Sequence, residues 1–199
     1  MASRTTGTGS PVRRMFVAVL PPPDLVATIG DRLDPLVTRW PQLRWTDPAG
    51  WHLTLAFLAR VEAPQYPRLV ENLAETAART ARFSVSLAGA GAFPAAPIGR
   101  NLWLGVYDPT DALTKLASST KRAAGRAGVR TPDERFTPHL TLARISQPTD
   151  LSGQVAVLEE WGLGPWPVNE LTLVESQLGQ GREGRPRYLV TDSFMLAEH

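Results

Sequence analysis

The 199-residue chain contains no cysteine. This absence excludes disulfide bonds, thiolate metal sites and cysteine nucleophiles, and it fits a reducing compartment such as the cytoplasm. Lysine is also scarce: Lys115 and Lys121 are the only two among 21 basic residues, so arginine carries nearly all of the positive charge. The planar guanidinium of arginine suits phosphate, although a GC-rich coding sequence would produce the same bias.

Other classes of protein are excluded by features that are missing. No apolar run reaches the roughly 18 residues of a membrane span, and the first residues lack the apolar stretch of a signal peptide. The formal net charge of +2 is too small to indicate nucleic-acid binding by itself. We therefore expect a cytoplasmic protein without a membrane partner. Residues 1–12 have no apolar pattern and are expected to be disordered, and residues 13–199 are expected to form a single bilobal domain.

Strands and helices are mixed along the rest of the chain. Pro35 is expected to disturb the first helix, and the small residues after Leu87 are expected to form a loop. The absence of a strict βαβ rhythm and of a glycine-rich nucleotide motif favours an α+β fold. Apolar patterns predict strands at 14–20, 43–46, 51–58, 83–87, 101–106, 136–145, 168–178 and 187–196, and helices at 24–40, 64–81, 110–127 and 151–161.

One pentapeptide is repeated. His-Leu-Thr-Leu-Ala begins at His52 and begins again at His139, 87 residues later, near the middle of each half of the chain. A duplicated unit with one motif per half explains this spacing. In a strand, alternate side chains share a face, so each histidine lies beside its threonine while the leucines face a core. If the halves pack about a pseudo-twofold axis, both His-Thr pairs meet in one cleft.

Such a cleft suits phosphoryl chemistry. Neutral imidazole can accept a proton from water and protonated imidazole can donate one to a leaving oxygen, which makes His52 and His139 candidate catalytic residues. The hydroxyls of Thr54 and Thr141 can donate to phosphate oxygens, and no metal is required. A single His-x-Thr would be weak support, because strands often carry both residues. Here two copies occur in matching context, and the third histidine, His199, is the final residue.

These motifs resemble those of the 2H phosphoesterase superfamily, and in particular the bacterial and archaeal RNA 2′,3′-cyclic phosphodiesterase (2′-5′ RNA ligase) family. The resemblance implies two pseudo-symmetric antiparallel sheets with flanking helices and a central cleft. It also implies hydrolysis of 2′,3′-cyclic phosphates, on RNA ends or nucleotides, to 2′-phosphates without a cofactor, and we expect a monomer. The segments that carry the resemblance are 14–19, 44–45, 51–58, 91–94, 102–106, 136–144 and 173–178, followed by Tyr188.

The resemblance also implies roles for individual residues. His52 would protonate the departing 3′-oxygen and His139 would activate water, while Thr54 and Thr141 hold the phosphate. Arg144 matches a family arginine that reaches the phosphate. Strict alternation places Arg144 on the opposite face from His139, so a twist or a bulge is needed to bring it into the cleft.

Three further substrate contacts are predicted. The family shows Arg-Pro-Phe before its second motif, whereas this chain has Glu134-Arg135-Phe136, so Arg135 could replace the missing arginine from one position later. Phe16 is a candidate for stacking on a base, or else an ordinary core residue. The arginine-rich segment with Arg182, Arg185 and Arg187 could guide an RNA backbone, or it could be a solvated loop.

Three alternatives stay open at this point. The same site could open 2′-5′-linked or other cyclic phosphodiesters, or run backward as a ligase. The chain could instead be a non-catalytic RNA-binding module, although all four motif residues are present. A zinc hydrolase is the least favoured, since catalytic zinc usually has three protein ligands and only two well-placed histidines are available.

Overall fold

The computed structural model describes residues 12–181 and 184–198. Within them, the helices are α1 (Pro23–Arg39), α2 (Tyr66–Ala78), α3 (Ala112–Arg126) and α4 (Ser152–Glu159). The strands are β1 (Arg13–Val19), β2 (Arg44–Trp45), β3 (Leu53–Val61), β4 (Phe83–Phe93), β5 (Gly99–Tyr107), β6 (His139–Thr149), β7 (Gly162–Val168), β8 (Glu170–Gln177) and β9 (Arg187–Met195). The predicted α+β class is confirmed. The disorder predicted for residues 1–12 lies outside the described residues except at Val12, and Arg182 and His199 lie outside them as well.

The strands form two antiparallel halves that meet at the two motif strands. The order across the sheet is β7-β4-β5-β6-β3-β1-β8-β9, with β2 paired to β6. Leu53 of β3 and Leu140 of β6 are the one residue pair that joins the halves in the described register. The two predicted sheets are therefore present as halves of one curled sheet, and the motifs lie at their junction.

The core occupies the helical side of the sheet. The leucines that alternate with the motif residues, Leu53, Leu55, Leu140 and Leu142, are each at most 1% exposed. Helices α2 and α3 pack against each other, and α3 also packs on β3. Because these leucines are buried on the helical face, the histidine and threonine of each motif strand point to the opposite face of the sheet. No helix among the described residues is long and apolar enough to span a membrane.

The prediction for the strand that begins at Phe83 was wrong in extent. The small residues after Leu87 continue β4 as far as Phe93 instead of forming a loop. A Cβ at Gly91 would lie 2.3 Å from the ring of Trp103, so the close approach of this indole requires glycine within the strand. Local propensity suggests a loop for such residues, but packing against a neighbouring aromatic residue makes them part of the sheet.

Strand β7 and the course of α1 also differ from expectation. β7 was not predicted, because Pro165 and Pro167 remove two backbone donors from it. It lies at one edge of the sheet, where a missing donor on the outer side costs nothing. Pro35 was expected to disturb the first helix, yet α1 continues through it to Arg39. The lost hydrogen bond is offset by the burial of Leu25, Ile29, Leu33 and Leu36 along one helical face.

Candidate active site

The four motif side chains flank the residue pair that joins the halves. Leu53 and Leu140 are directly opposite partners in antiparallel strands and point into the core. Their neighbours therefore point the other way, with His52 and Thr141 on one side of the pair and Thr54 and His139 on the other. All four line one cleft of about 890 Å³. Both His-Thr pairs therefore meet in one cleft at the junction of the halves, as the repeated motif predicted.

A bulge in β6 brings Arg144 into the same cleft. Trp103 of β5 pairs with Thr141, and the preceding Leu102 pairs with Ala143, so Leu142 has no partner in the register. Leu142 and Ala143 are consecutive buried residues, and Arg144 returns to the exposed face. Arg144 lines the cleft. The bulge that alternation required for this arginine is therefore present.

The first motif strand carries the matching bulge, and it brings Phe57 into the cleft. Ala18 of β1 pairs with Thr54 and Val17 pairs with Ala56, which leaves Leu55 unpaired. Phe57 then lines the cleft. It stands five residues after His52, as Arg144 stands after His139. Phe57 was not predicted from the sequence, although adding the 87-residue separation of the motifs to its number gives Arg144.

The two halves of the cleft therefore differ in chemistry at one equivalent position. Both supply a histidine and a threonine, but one half adds the guanidinium of Arg144 and the other adds the apolar ring of Phe57. The guanidinium of Arg14 lies over this ring, 4.3 Å from its centroid. The cation in this half therefore comes from β1, and the motif strand supplies an aromatic ring at the position where β6 supplies Arg144.

The two imidazoles share one hydrogen-bonding arrangement. Nδ1 of His52 lies 2.7 Å from the carbonyl oxygen of Gly50. Nδ1 of His139 lies 2.7 Å from the carbonyl oxygen of Thr137. A carbonyl oxygen only accepts, so Nδ1 carries the hydrogen in both rings and Nε2 is the basic nitrogen of the neutral form. Both histidines are thus held in the tautomer that exposes one proton-accepting nitrogen.

Phe16 supports His52, and its expected stacking on a base is not favoured by this structure. Its ring stacks on the imidazole with centroids 4.4 Å apart, and Tyr188 contacts both rings edge-on. Phe16 is only 4% exposed, so it offers almost no ring face to a nucleobase although it reaches the cleft wall. Phe16 is better explained as a buried packing residue whose ring fixes the plane of the His52 imidazole.

Aromatic residues also surround His139. Phe93 meets it edge-on at 4.9 Å between centroids, and Trp103 lies at 5.9 Å. Both belong to segments that carried the family resemblance, but their contact with the histidine depends on the pairing of β4, β5 and β6. Each imidazole is therefore walled by rings, which restricts its motion and excludes water from its faces.

Burial makes both histidines hard to protonate. It lowers the pKa of His52 to about 4, the Gly50 carbonyl opposes this, and the positive charges of Arg144 and His139 add to it. Burial also lowers the pKa of His139, the Thr137 carbonyl opposes the change, and Arg144 again adds to it. At neutral pH both imidazoles are therefore uncharged in the protein by itself.

The cleft is strongly electropositive. Its described lining includes one carboxylate, that of Asp47, and five arginines: Arg14, Arg44, Arg144, Arg185 and Arg187. Arg185 and Arg187, from the predicted arginine-rich segment, are thus part of the cleft wall. Because low-dielectric walls strengthen the field of such a cluster, the cleft attracts anions.

Arg135 does not line this cleft, so its predicted substrate contact is not supported. It borders a separate cavity of about 550 Å³ beside α3, which shares no lining residue with the cleft. β6 begins only at His139, and the preceding segment is held against α3 by Lys121. The ammonium of Lys121 donates to the carbonyl oxygens of Pro132 at 3.3 Å and Glu134 at 3.0 Å. This attachment keeps Arg135 on the helical side.

Metal ligands are not clustered in the part of the chain that the structure covers. Among residues 12–181 and 184–198, no group of three or more His, Asp or Glu side chains is arranged to hold a metal ion. The side chains that converge on the cleft are imidazoles, hydroxyls and guanidiniums, a set that binds and protonates phosphate esters.

Comparison with known proteins relates this geometry to one family. The model of the 2′-5′ RNA ligase superfamily matches residues 26–180. The chain is 32% identical to the RNA 2′,3′-cyclic phosphodiesterase of Thermus thermophilus, over 94% of this chain and 92% of that protein. It is 30% identical to the protein of the same name from Escherichia coli K12, over 85% and 90%. Its structure resembles that of E. coli LigT in apo form with a TM-score of 0.76 at 26% identity, covering 94% of this chain and 99% of LigT. The complex of LigT with 3′-AMP gives a TM-score of 0.75 at 25% identity, with the same coverage.

Proposed function

The chain belongs to the 2′-5′ RNA ligase superfamily, and we infer from this membership that it is an RNA 2′,3′-cyclic phosphodiesterase, an enzyme that hydrolyses cyclic phosphates. The observation that carries the inference is the convergence of two His-Thr pairs and Arg144 on one cleft. Two imidazoles on either side of a phosphate can supply the acid and the base that opening of a cyclic ester needs.

We propose the following hydrolytic step. Thr54 and Thr141 donate hydrogen bonds to the non-bridging phosphate oxygens, and Arg144 balances their charge. Nε2 of neutral His139 takes a proton from water as its oxygen attacks phosphorus. The bond from phosphorus to the 3′-oxygen breaks, and Nε2 of protonated His52 gives its proton to that oxygen. The products are a 2′-phosphate and a free 3′-hydroxyl, and the proton passes from His139 back to His52 through solvent.

The acid must be protonated although burial opposes it. His52 has a pKa near 4 in the protein by itself, so its role as the acid requires the bound phosphate to raise that pKa. An opposite charge in direct contact favours the protonated imidazole, and the effect is stronger beside the low-dielectric rings of Phe16 and Tyr188 than in bulk water. The phosphate thus supplies the charge that makes one imidazole an acid and leaves the other free to act as the base.

We further propose that the enzyme works as a cytoplasmic monomer on RNA ends or cyclic nucleotides, with residues 13–199 as one domain. Both motifs of a single chain line the same cleft, so a partner subunit is not needed to complete it. The lack of cysteine fits a reducing compartment.

The first test is incubation with 2′,3′-cyclic AMP in the presence of EDTA, with 2′-AMP and 3′-AMP separated. We expect 2′-AMP at a rate that EDTA does not reduce. Formation of 3′-AMP would reverse the assigned leaving oxygen, and loss of activity that zinc restores would contradict the metal-free step. A panel of substrates that includes 2′-5′-linked dinucleotides shows whether the enzyme opens only 2′,3′-cyclic phosphates or also acts on 2′-5′ phosphodiesters.

Variants then test the residue roles. His52→Gln and His139→Gln should each lower kcat by about 10²–10⁴-fold, because each removes one proton transfer. Thr54→Val and Thr141→Val should cause smaller losses, since each removes one hydrogen bond to phosphate. Thr28→Val, on the exposed face of α1, is the matched control and should retain full activity. A histidine variant with near-normal kcat contradicts the two-histidine mechanism.

A further inference from the structure

Arg44 lies directly opposite Arg144 in the wall of the cleft. The two are partners in the antiparallel pairing of β2 with β6. Directly opposite residues project to the same face, and both arginines line the cleft. The register is fixed by Thr46, whose backbone N–H donates to the Leu142 oxygen at 2.8 Å. Its hydroxyl lies 2.9 Å from the carbonyl oxygens of Thr141 and Leu142.

This pair of like charges has no protein counter-ion among the described residues. The ion pairs in that part of the chain involve other arginines: Arg13, Arg60, Arg79 and Arg82. Asp47, the carboxylate of the cleft, accepts a hydrogen bond from the backbone N–H of Ala49 at 3.0 Å. Like charges at directly opposite positions destabilise a strand pair. Two unpaired guanidiniums side by side are therefore best explained by anions that come from outside the chain.

The charge of a cyclic mononucleotide does not account for both arginines. Its cyclic phosphate carries one negative charge, which Arg144, the two threonine hydroxyls and a protonated imidazole already balance. An RNA end carries a second negative charge on the phosphodiester one nucleotide before the cyclic phosphate. That group is the nearest additional anion along the strand.

We propose that Arg44 binds this preceding phosphodiester, so that the cleft selects RNA ends over cyclic mononucleotides. The inference rests on the proposed phosphodiesterase function and adds a second phosphate site to it. Arg14 and Arg187, from β1 and β9 in the other half of the sheet, add positive charge across the same cleft. Arg44 is exposed, so its side chain is free to reach a strand that leaves the cleft.

The test compares two substrates that differ by one nucleotide. These are 2′,3′-cyclic AMP and adenylyl-(3′→5′)-adenosine 2′,3′-cyclic phosphate. For the unaltered enzyme, kcat/KM for the dinucleotide should exceed that for the mononucleotide by about tenfold or more, the effect of one charge-assisted contact. The preference should weaken as salt concentration rises. Equal kcat/KM values would overturn the inference.

Variants decide whether Arg44 is the cause. Arg44→Gln should bring the ratio of the two kcat/KM values close to one, and Arg44→Lys, which keeps the charge, should retain most of it. Arg144→Gln should lower both values by the same factor, because it acts on the cyclic phosphate itself. Arg68→Gln, an exposed arginine of α2, is the matched control and should leave the ratio intact. A ratio that survives Arg44→Gln overturns the proposal.

Failure of the proposed function has a different signature. If the unaltered protein hydrolyses neither compound, the phosphodiesterase assignment fails. Calorimetric binding of the two compounds then decides the role of Arg44: tighter binding of the dinucleotide that is lost in Arg44→Gln supports it, and equal binding overturns it.

Discussion

Single residues in the cleft act through their protonation state. Each imidazole donates a hydrogen bond from its Nδ1–H to the carbonyl oxygen two residues before it, at 2.7 Å. The ring is thereby oriented before substrate arrives, and burial keeps it neutral. The repeated motif predicts that His52 and His139 act together. It does not predict that Phe16 and Tyr188 contact the ring of His52. Nor does it predict that Phe93 and Trp103 contact the ring of His139, because these contacts join residues far apart in sequence.

At this scale we predict a steep pH dependence. The reaction needs one imidazole protonated and the other neutral, and the pKa values of both lie below 6.5 in the free protein. Above that pH the singly protonated fraction is proportional to proton concentration. We expect kcat/KM for 2′,3′-cyclic AMP to fall about tenfold per pH unit between roughly pH 7 and pH 9.

The Arg144→Gln variant should shift this pH dependence in a known direction. The positive charge of Arg144 lowers both imidazole pKa values, so Arg144→Gln should raise them and move the onset of the decline to higher pH. The Arg68→Gln control should keep the original profile. A kcat/KM that is constant from about pH 7 to pH 9 would argue against a shared proton between the two imidazoles.

At the scale of elements, the bulges and the segment before β6 place the side chains. A strand without a bulge would turn Arg144 away from His139, and the unpaired Leu142 reverses this. The segment before β6 contains Thr137, whose carbonyl accepts the Nδ1 hydrogen of His139. Lys121 holds this segment to α3 through two carbonyl oxygens. We therefore expect Lys121 to be a positioning residue for His139, although it lies outside the cleft.

We predict that Lys121→Met lowers kcat by about three- to tenfold and changes KM little, because it removes two hydrogen bonds that hold the Thr137 segment. Lys115→Met is the matched control: this lysine is also on α3, but its ammonium donates to the Thr110 carbonyl at 3.0 Å, at the other end of the helix. Steady-state kinetics on both variants separate the roles. Equal kcat in the two variants would mean that the Lys121 contacts are not needed to position His139.

At the scale of the whole molecule, the active site is the place where two halves meet. The sheet is continuous through Leu53 and Leu140, which are 1% and 0% exposed. Each motif belongs to one half, so the distance between the two imidazoles depends on how the halves pack. The assignment of residues 13–199 to a single domain stays a prediction, and the shared cleft is what favours it.

We predict that Leu140→Ala and Leu87→Ala both destabilise the protein, by about 2–5 kcal/mol, because both leucines are fully buried. They should differ in activity. Leu140→Ala alters the junction and should lower kcat severalfold, whereas Leu87→Ala, in β4 away from the motifs, should leave kcat close to normal. Denaturant unfolding and kinetics, measured where both variants are folded, test this. Equal kcat values would show that packing at the junction does not set the geometry of the site.

Local patterns in the chain were sufficient for several features of this protein. The α+β class, most strands and helices, and the set of His52, Thr54, His139 and Thr141 all follow from apolar periodicity and one repeated pentapeptide. The fold class is confirmed and the four site residues stay a prediction; both depend on alternation along a strand and on the chemistry of single side chains. They needed no knowledge of which strands are neighbours.

Tertiary structure decided the features that depend on pairing between distant segments. The register of β6 with β5 creates the bulge that exposes Arg144, and the register with β2 sets Arg44 beside it. Packing against Trp103 turned a predicted loop into the end of β4, and attachment to α3 removed Arg135 from the site. No local pattern contains this information, because strand register is chosen by the burial of whole faces and changes with a single added residue.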